Sequence, residues 1–309
     1  MIPEPAEWRA ADAAQLLRVP GPHTHKYSRG VLGVRTGSAA YPGAAVLGVE
    51  AAWRTGVGLV RYFSPRDDAA PEFGLPSPAA AVLARRPETV FARSTSSERS
   101  RCDAWVIGSG TDPTARSFAE REELRRLLEG DAPVVVDAGA LDLVGGGDTR
   151  APIVVTPHAG EFASLQRASG ATSAHAAGDA EADRVHSVRG VAQSLGITVL
   201  LKGSRTIVAS PSGWCGVYGP ASAWLATAGT GDVLAGILGA LVATNVTEVR
   251  EDRDALARLG LTAALLHDHA AQLAAHRAAH AQDRSDAAGP VTALDVASAV
   301  PAAFASLLG

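Results

Sequence analysis

Residues 228–236 read Ala-Gly-Thr-Gly-Asp-Val-Leu-Ala-Gly, a glycine-rich turn that runs directly into an apolar segment. Gly229 and Gly231 can adopt positive φ angles and let a ligand approach the backbone closely. The first turn of the helix that follows has amide groups without internal partners, and these suit a phosphate or a developing oxyanion. The turn therefore predicts an anion hole formed by Gly229, Thr230 and Gly231.

Asp232 stands at the junction between this turn and the helix. An aspartate at a helix start is commonly a cap that stabilises the helix by about 1 kcal/mol. Residues 233–242, however, are apolar on every face, which predicts a buried helix. A carboxylate at the tip of a buried helix, beside an anion hole, is better placed to take a proton than to cap a surface helix.

The composition excludes several classes of protein. The chain has 309 residues, of which 47% are hydrophobic and 19% charged, and its net charge is −4, so a nucleic-acid surface is not expected. Cys102 and Cys215 are too few for a zinc site or a disulfide framework. The first 22 residues do not have the pattern of a signal peptide, and no apolar run is long enough to span a membrane. We therefore expect a soluble, cytoplasmic protein.

From residue 31 onward, short apolar runs alternate with helical patterns. This alternation predicts an α/β fold in which a mostly parallel central sheet is flanked by helices on both faces. Three late strands, at 198–201, 206–209 and 214–218, lie too close in sequence for crossovers and predict an antiparallel meander at the sheet edge. The other predicted strands are 31–35, 59–63, 89–92, 104–107, 134–136 and 153–155. The predicted helices are 43–55, 114–128, 160–168, 182–195, 232–243, 255–281 and 292–308.

The chain divides unequally at a cluster of proline and glycine at residues 20–22. We expect residues 1–25 to be an N-terminal extension with a short helix at 6–17, and residues 26–309 to be a single domain. Polar loops are predicted at 94–101, 145–150, 169–179 and 282–289, but none has the composition of a linker.

Several polar motifs follow predicted strands, where ligands bind in sheets of this type. The segment GSGTDP at 108–113 lacks the third glycine of a dinucleotide-binding fingerprint, although its loop suits a phosphate or a ribose. Asp137 follows the strand at 134–136, and TPHAGE at 156–161 follows the next. Residues 202–206, Lys-Gly-Ser-Arg-Thr, offer cations and a hydroxyl to a nucleotide.

Two other kinds of site are not supported by the motifs. His276 and His280 have the spacing of a metal pair on a helix, but no third ligand type accompanies them, so no protein metal ligands are predicted. The chain also contains no Gly-Lys dipeptide and hence no Walker A loop.

Taken in order, five segments of the chain resemble the ADP/ATP-dependent NAD(P)H-hydrate dehydratases of the ribokinase-like superfamily. They are HKYSRG at 25–30, GSAAYPGAA at 37–45, TPHAGE at 156–161, LKG at 201–203 and GTGDVL at 229–234. The resemblance covers roughly residues 25–309. It implies a ribokinase-like fold and the repair of hydrated nicotinamide nucleotides.

The implied reaction is the ADP- or ATP-dependent dehydration of the S-epimer of hydrated NADH or NADPH through transient phosphorylation of the ring hydroxyl. Magnesium, a homotetramer and a separate epimerase as functional partner are expected by similarity. Carried over by position, Asp232 contacts the substrate and activates its hydroxyl, while Ala44, Gly110 and His158 contact the hydrated cofactor. Lys202, Gly203, Ser204, Arg205, Thr206 and Gly231 hold the adenine nucleotide.

Two alternatives stay open at this level. The first is a ribokinase-like small-molecule alcohol kinase that uses the same Gly-Thr-Gly-Asp turn and releases a stable phosphate ester. The second is a nucleotide-binding sensor or assembly protein without catalysis. The segments at 25–30 and 156–161 favour the dehydratase over the kinase, and the presence of Asp232 beside the glycine turn favours an enzyme. A role for Asp137 in positioning magnesium or phosphate is a further expectation.

Overall fold

The computed structural model describes residues 4–66, 74–145, 149–170, 180–280 and 288–309, and these residues form one ten-stranded sheet with helices on both faces. The strands are β1 (Ala6–Glu7), β2 (Val31–Arg35), β3 (Leu59–Tyr62), β4 (Val90–Phe91), β5 (Ala104–Ile107), β6 (Val134–Val136), β7 (Ile153–Val155), β8 (Thr198–Leu201), β9 (Thr206–Ala209) and β10 (Cys215–Tyr218). Their order in the sheet is β1-β10-β9-β8-β7-β6-β5-β2-β3-β4.

Most strand pairs are parallel, as the sequence predicts. From β8 through β7, β6, β5 and β2 to β3 and β4 every pair runs parallel. The pairs β8–β9 and β9–β10 run antiparallel, which confirms the late meander. The carboxyl ends of β2 and of β5 to β8 therefore lie at the same edge of the sheet, and the polar motifs follow these ends.

Helices cover the sheet on two faces. They are α1 (Ala10–Ala14), α2 (Pro42–Thr55), α3 (Pro78–Arg85), α4 (Ser96–Arg99), α5 (Phe118–Leu128), α6 (Ala159–Ser169), α7 (Glu181–Leu195), α8 (Thr230–Thr244), α9 (Val246–Glu251), α10 (Ala255–His280) and α11 (Ala293–Leu308). Alternate residues of β5 enter different cores: Val106 packs with α2, α8, α10 and α11, whereas Ile107 packs with α5, α6 and α7. This alternation explains why the buried strands are apolar throughout.

The N-terminal segment differs from the predicted helix at 6–17. Ala6 and Glu7 instead form β1, which pairs in parallel with Gly216 and Val217 of β10. The helix α1 is limited to Ala10–Ala14. Ladder hydrogen bonds to a strand about two hundred residues away override the local helical pattern, and β1 becomes a further strand outside the predicted meander.

Other elements also differ from expectation, and α3 and α9 have no counterpart among the predicted helices. The helix predicted from residue 114 begins at Phe118, because Ser117 caps it by accepting a hydrogen bond from the amide of Glu120. The predicted loop at 94–101 contains the single-turn helix α4. The loops predicted at 145–150, 169–179 and 282–289 lie in large part outside the described residues. Within the described part of the chain, no helix is long and apolar enough to cross a membrane.

Candidate active site

The glycine turn before α8 has the conformation that its sequence predicts. Gly229 is the N-cap of α8 and has a φ of 88°, a left-handed conformation that favours glycine. A Cβ atom at Gly229 would also lie 2.6 Å from Leu47 Cδ1 and 3.1 Å from Ala293 Cβ. Both the backbone angle and the lack of space therefore require glycine here.

The amide groups of this turn are used unequally. The Thr230 amide donates to the Thr227 carbonyl at 3.2 Å, and its hydroxyl donates to the carbonyls of Leu225 and Thr227. The amides of Gly231 and Asp232 have no backbone acceptor among the residues that the structure describes. Thr230 therefore holds the turn in place, and Gly231 and Asp232 provide the donors that an anion would meet.

Asp232 occupies the third position of α8, so it is not the N-cap residue. Burial, together with repulsion from the Asp137 carboxylate, raises the pKa of Asp232 to about 6, while the charge of Lys202 acts in the opposite direction. A carboxylate with a pKa near neutrality can both accept and release a proton under physiological conditions. The third position of α8 and the raised pKa therefore favour a base over a helix cap as the role of Asp232.

Asp137 and Lys202 form the charged centre of the site. The Asp137 carboxylate accepts hydrogen bonds from Ser109 Oγ at 2.9 Å, from Thr156 Oγ1 at 2.7 Å and from Lys202 Nζ at 3.1 Å. Lys202 Nζ also lies 3.6 Å from the position that a Cβ of Gly231 would occupy. The ammonium group thus lies directly over the start of α8, where it adds positive charge to the anion hole.

A cavity of about 520 Å³ opens beside this centre. Its walls include His158, Lys202, Gly203, Ser204, Thr206 and Gly231, which are predicted ligand-binding residues from three separate segments. The remaining lining residues are Ala221, Ser222, Ala223, Leu225, Ala226, Thr230, Leu234, Ala264 and His267. The structure thus brings most of the predicted nucleotide-binding residues together around one space.

Arg205 is the predicted nucleotide-binding residue that does not line this cavity. Its guanidinium group pairs with Glu7 and with Glu181, each at 2.5 Å, and donates to the Gly219 carbonyl. These contacts tie the β8–β9 turn to β1 and to α7. The geometry therefore gives Arg205 a structural use, and its assignment as a nucleotide contact stays a prediction.

His158 is the N-cap of α6. Its Nδ1 atom accepts hydrogen bonds from the amides of Gly160 and Glu161, at 3.0 and 3.3 Å, and the His158 amide donates one to the Glu161 carboxylate. This is a capping box in which an imidazole replaces the usual hydroxyl. The rest of the ring is exposed on the cavity wall, where a ligand can reach it.

Ala44 and Gly110, the other predicted substrate contacts, lie against each other. A Cβ atom at Gly110 would overlap the Cβ of Ala44. Beside them is a second cavity of about 450 Å³, whose walls include Gly37, Ser38, Tyr41, Gly108 and Thr111. The neighbouring Ser109 connects this region to Asp137 through the hydrogen bond described above.

His267 is a site residue that the sequence does not identify. It stands among several histidines of one alanine-rich helix, and only the fold shows that it is buried at the cavity. Of the histidine pair His276 and His280, the His280 side chain lies outside the described residues. No group of three or more His, Cys, Asp or Glu in the described ranges could hold a metal ion.

The strand order and the flanking helices define an α/β protein of ribokinase-like fold. A ribokinase-like superfamily protein of Enterococcus faecalis superposes with a TM-score of 0.72 at 19% identity, over 98% of this chain and 96% of that one. The ADP/ATP-dependent NAD(P)H-hydrate dehydratase of Bacillus subtilis, co-crystallised with ATP and Mg²⁺, superposes with a TM-score of 0.73 at 23% identity, over 98% of each chain.

Sequence comparison identifies the family within this fold class. Residues 32–290 match the NAD(P)H-hydrate dehydratase family, and the chain belongs to that family. It is 42% identical over 246 residues to the bifunctional NAD(P)H-hydrate repair enzyme Nnr of Mycobacterium tuberculosis, which covers 77% of this chain and 46% of that protein. It is 37% identical over 231 residues to the ADP-dependent (S)-NAD(P)H-hydrate dehydratase of Neisseria meningitidis, 72% of each chain. The chain thus spans about half the length of the bifunctional relatives.

Proposed function

We propose that the protein dehydrates the S-epimer of hydrated NADH or NADPH at the expense of ADP or ATP. The observation that carries this proposal is the position of Asp232, a partly buried carboxylate of raised pKa at an anion hole, in a chain of the NAD(P)H-hydrate dehydratase family. The names of the relatives from N. meningitidis and B. subtilis support the choice of nucleotide.

The cavity of about 520 Å³ would hold the adenine nucleotide, with its terminal phosphate at the start of α8. The amides of Gly231 and Asp232, the helix dipole and Lys202 would stabilise negative charge on the transferring group. Gly203, Ser204 and Thr206 would contact the rest of the nucleotide. Ala44, Gly110 and His158 are proposed contacts of the hydrated cofactor.

Asp232 would take the proton of the ring hydroxyl as the hydroxyl oxygen attacks the terminal phosphorus. A new P–O bond to the ring oxygen forms, and the bond to the bridging oxygen breaks, so that ADP leaves as AMP or ATP as ADP. The ring nitrogen then donates its electron pair as the C–O bond breaks and inorganic phosphate departs. Loss of a proton from the adjacent ring carbon completes the double bond of NADH or NADPH.

Magnesium enters the proposal through the family resemblance. Both carboxylate oxygens of Asp137 already accept hydrogen bonds, and the described residues provide no cluster that could hold a metal ion of their own. Mg²⁺ at such sites is commonly bound by substrate phosphates and water with few protein carboxylates. These residues do not form a resident metal site, so we assign no step to the metal and regard it as part of the nucleotide complex.

The assembly and the location of the protein are further parts of this proposal. The resemblance supports a homotetramer in the cytoplasm and a functional link to an NAD(P)H-hydrate epimerase. Light scattering of the purified chain would test the first, because a monomer mass would contradict the tetramer.

One assay tests the reaction directly. The protein is mixed with hydrated NADH, magnesium and either ADP or ATP, and the recovery of NADH absorbance is followed. Recovery with one of the nucleotides is expected, and no recovery with either would overturn the proposed function. Accumulation of a stable phosphorylated product would favour the alcohol kinase instead.

Asp232→Asn tests the role of the proposed base in this assay. The substitution preserves the shape of the side chain but removes its ability to take a proton, so turnover should fall by at least about a hundredfold. Binding of ADP, measured by calorimetry, should stay within a few fold of the wild type. Turnover at the wild-type rate would remove Asp232 from the mechanism.

A further inference from the structure

His267 lies at the inner wall of the nucleotide cavity, although the reaction described above does not use it. It is on α10, and only 5% of its surface is exposed. Its Nε2 atom has no hydrogen-bond partner among the described residues. A buried imidazole with an unpartnered nitrogen at a ligand cavity is unusual, since buried polar groups are nearly always hydrogen-bonded.

The imidazole is uncharged and in contact with the start of α8. Burial and the charge of Lys202 lower the pKa of His267 to about 3, while a hydrogen bond to the Thr230 backbone acts in the opposite direction. His267 and Thr230 both line the same cavity, so the imidazole lies beside the first residue of α8. His267 is therefore placed to hold the first residue of α8, immediately before the Gly231 and Asp232 amides, which have no backbone acceptor in the described part of the chain.

Asp268, the next residue of α10, holds a different wall of the same cavity. Its carboxylate accepts hydrogen bonds from the Tyr218 hydroxyl and the Ser222 amide, both at 2.7 Å, and from Gln272 Nε2 at 2.8 Å. Tyr218 and Ser222 bound the segment that leads into the wall at 221–226. Two consecutive residues of one helix are therefore bonded to two separate walls.

These two walls differ in chemistry. The wall at α8 has amide donors and Lys202 Nζ, and it suits the phosphate end of a nucleotide. The wall at 221–226 includes Ala221, Ala223, Leu225 and Ala226, and it suits the apolar face of a base.

We propose that His267 and Asp268 are positioning residues for the adenine nucleotide, His267 at the terminal phosphate through Thr230 and Asp268 at the base through Tyr218 and Ser222. This inference rests on the proposed function, because it takes the cavity as the nucleotide site. It adds that the two ends of the nucleotide are positioned by separable contacts of α10.

Calorimetric binding of ADP and AMP to the full chain tests this separation. In His267→Leu the dissociation constant for ADP should rise about tenfold, the equivalent of one buried hydrogen bond, while that for AMP changes less than about threefold. His267→Asn retains a donor and should restore ADP binding to within about threefold of the wild type. In Asp268→Asn the dissociation constants for ADP and AMP should rise by the same factor.

The outcomes separate this inference from the proposed function. Equal losses for ADP and AMP in His267→Leu, or no restoration by His267→Asn, would overturn the role of His267. If His267→Leu does not fold, Asp268→Asn decides, and a loss confined to ADP in that variant would overturn the proposal. Wild-type protein that binds neither nucleotide would contradict the proposed function itself. If the wild-type protein recovers NADH and the variants bind ADP and AMP as tightly as the wild type, the result would contradict only the inference.

Discussion

At the scale of single residues, the environment of Asp232 determines when the proposed base can act. Its pKa of about 6 means that the carboxylate is mostly protonated below that pH and cannot accept a proton. We therefore expect kcat/KM for hydrated NADH to rise roughly tenfold per pH unit below 6 and to level off above about 7, since this parameter reports ionisation in the free enzyme.

The pH profile needs a control, because the imidazole of His158 is a second proton-accepting group on the cavity wall. The profile should be measured for the wild type and for His158→Gln. An unchanged midpoint in His158→Gln assigns the acid limb to Asp232. A limb that disappears in that variant would contradict this assignment.

The Asp232 carboxylate should also lower the stability of the folded protein at neutral pH. Because its folded pKa is raised above the ordinary value of 3.8, the folded state binds more protons than the unfolded state between about pH 4 and 6. Its contribution to stability is thus fully present below about pH 4 and is lost as the pH rises through about 6.

Asp232→Asn removes this ionisation and should be more stable than the wild type at pH 8, by at most about 3 kcal/mol in the free energy of unfolding. Urea unfolding at pH 8 and at pH 4 measures the difference. The gain should disappear at pH 4, and an equal gain at both values would show that it does not come from the charge of Asp232.

At the scale of elements, the close packing of α2 against α8 holds the anion hole. A Cβ atom at Gly236 of α8 would overlap the Gly48 carbonyl of α2 and lie 3.0 Å from the Cβ of Ala51. Gly48 itself lies next to the Asp232 carbonyl, so any separation of these helices displaces the start of α8.

Gly236→Ala should therefore destabilise the protein by about 1–3 kcal/mol, as overpacking in a core does. Gly190→Ala on α7 is the matched control, because no atom of the other described residues, the helix's own backbone aside, lies within 4 Å of its added Cβ and alanine favours helix over glycine by about 1 kcal/mol. The two variants should shift the urea midpoint in opposite directions. Equal midpoints would show that α2 and α8 adjust without strain.

Local patterns explain which elements the sequence could predict. The bounds of α2 and α7 agree with the predictions within one residue, because each ends at a glycine in the left-handed conformation, Gly56 and Gly196. Asp232 could be predicted as the base from sequence because its glycine turn and buried helix adjoin it in the chain. The contact of His267 with Thr230 and the pairing of β1 with β10 join distant segments, so no local pattern indicates them.

At the scale of the whole molecule, the strand order places the two cavities on either side of the central carboxylates. The first cavity receives residues that follow β7, β8 and β10, and the second receives residues that follow β2 and β5. Asp137 follows β6, which lies between β7 and β5 in the sheet. The proposed nucleotide would therefore lie on one side of Asp137, and Ala44 and Gly110, two of the proposed contacts of the hydrated cofactor, would lie on the other.

The N-terminal residues pack against the core of the domain. Ala13, Leu16 and Leu17 are buried in the same core as α8 and α10, and Arg205 pairs with Glu7 at the β8–β9 turn. The division at residue 25 stays a prediction, but these contacts indicate that residues 26–309 need the preceding segment.

Deletion of residues 1–25 should lower the free energy of unfolding by several kcal/mol, since burying one leucine contributes about 1.5–3 kcal/mol. Deletion of residues 1–5 is the control, because it leaves β1 and the buried leucines in place. Urea unfolding of both variants measures the effect, and ADP binding shows whether the nucleotide cavity depends on β1. If the longer deletion unfolds at the wild-type midpoint, residues 1–25 are a separate extension after all, and the contacts of Leu16, Leu17 and Glu7 add little to the stability of the domain.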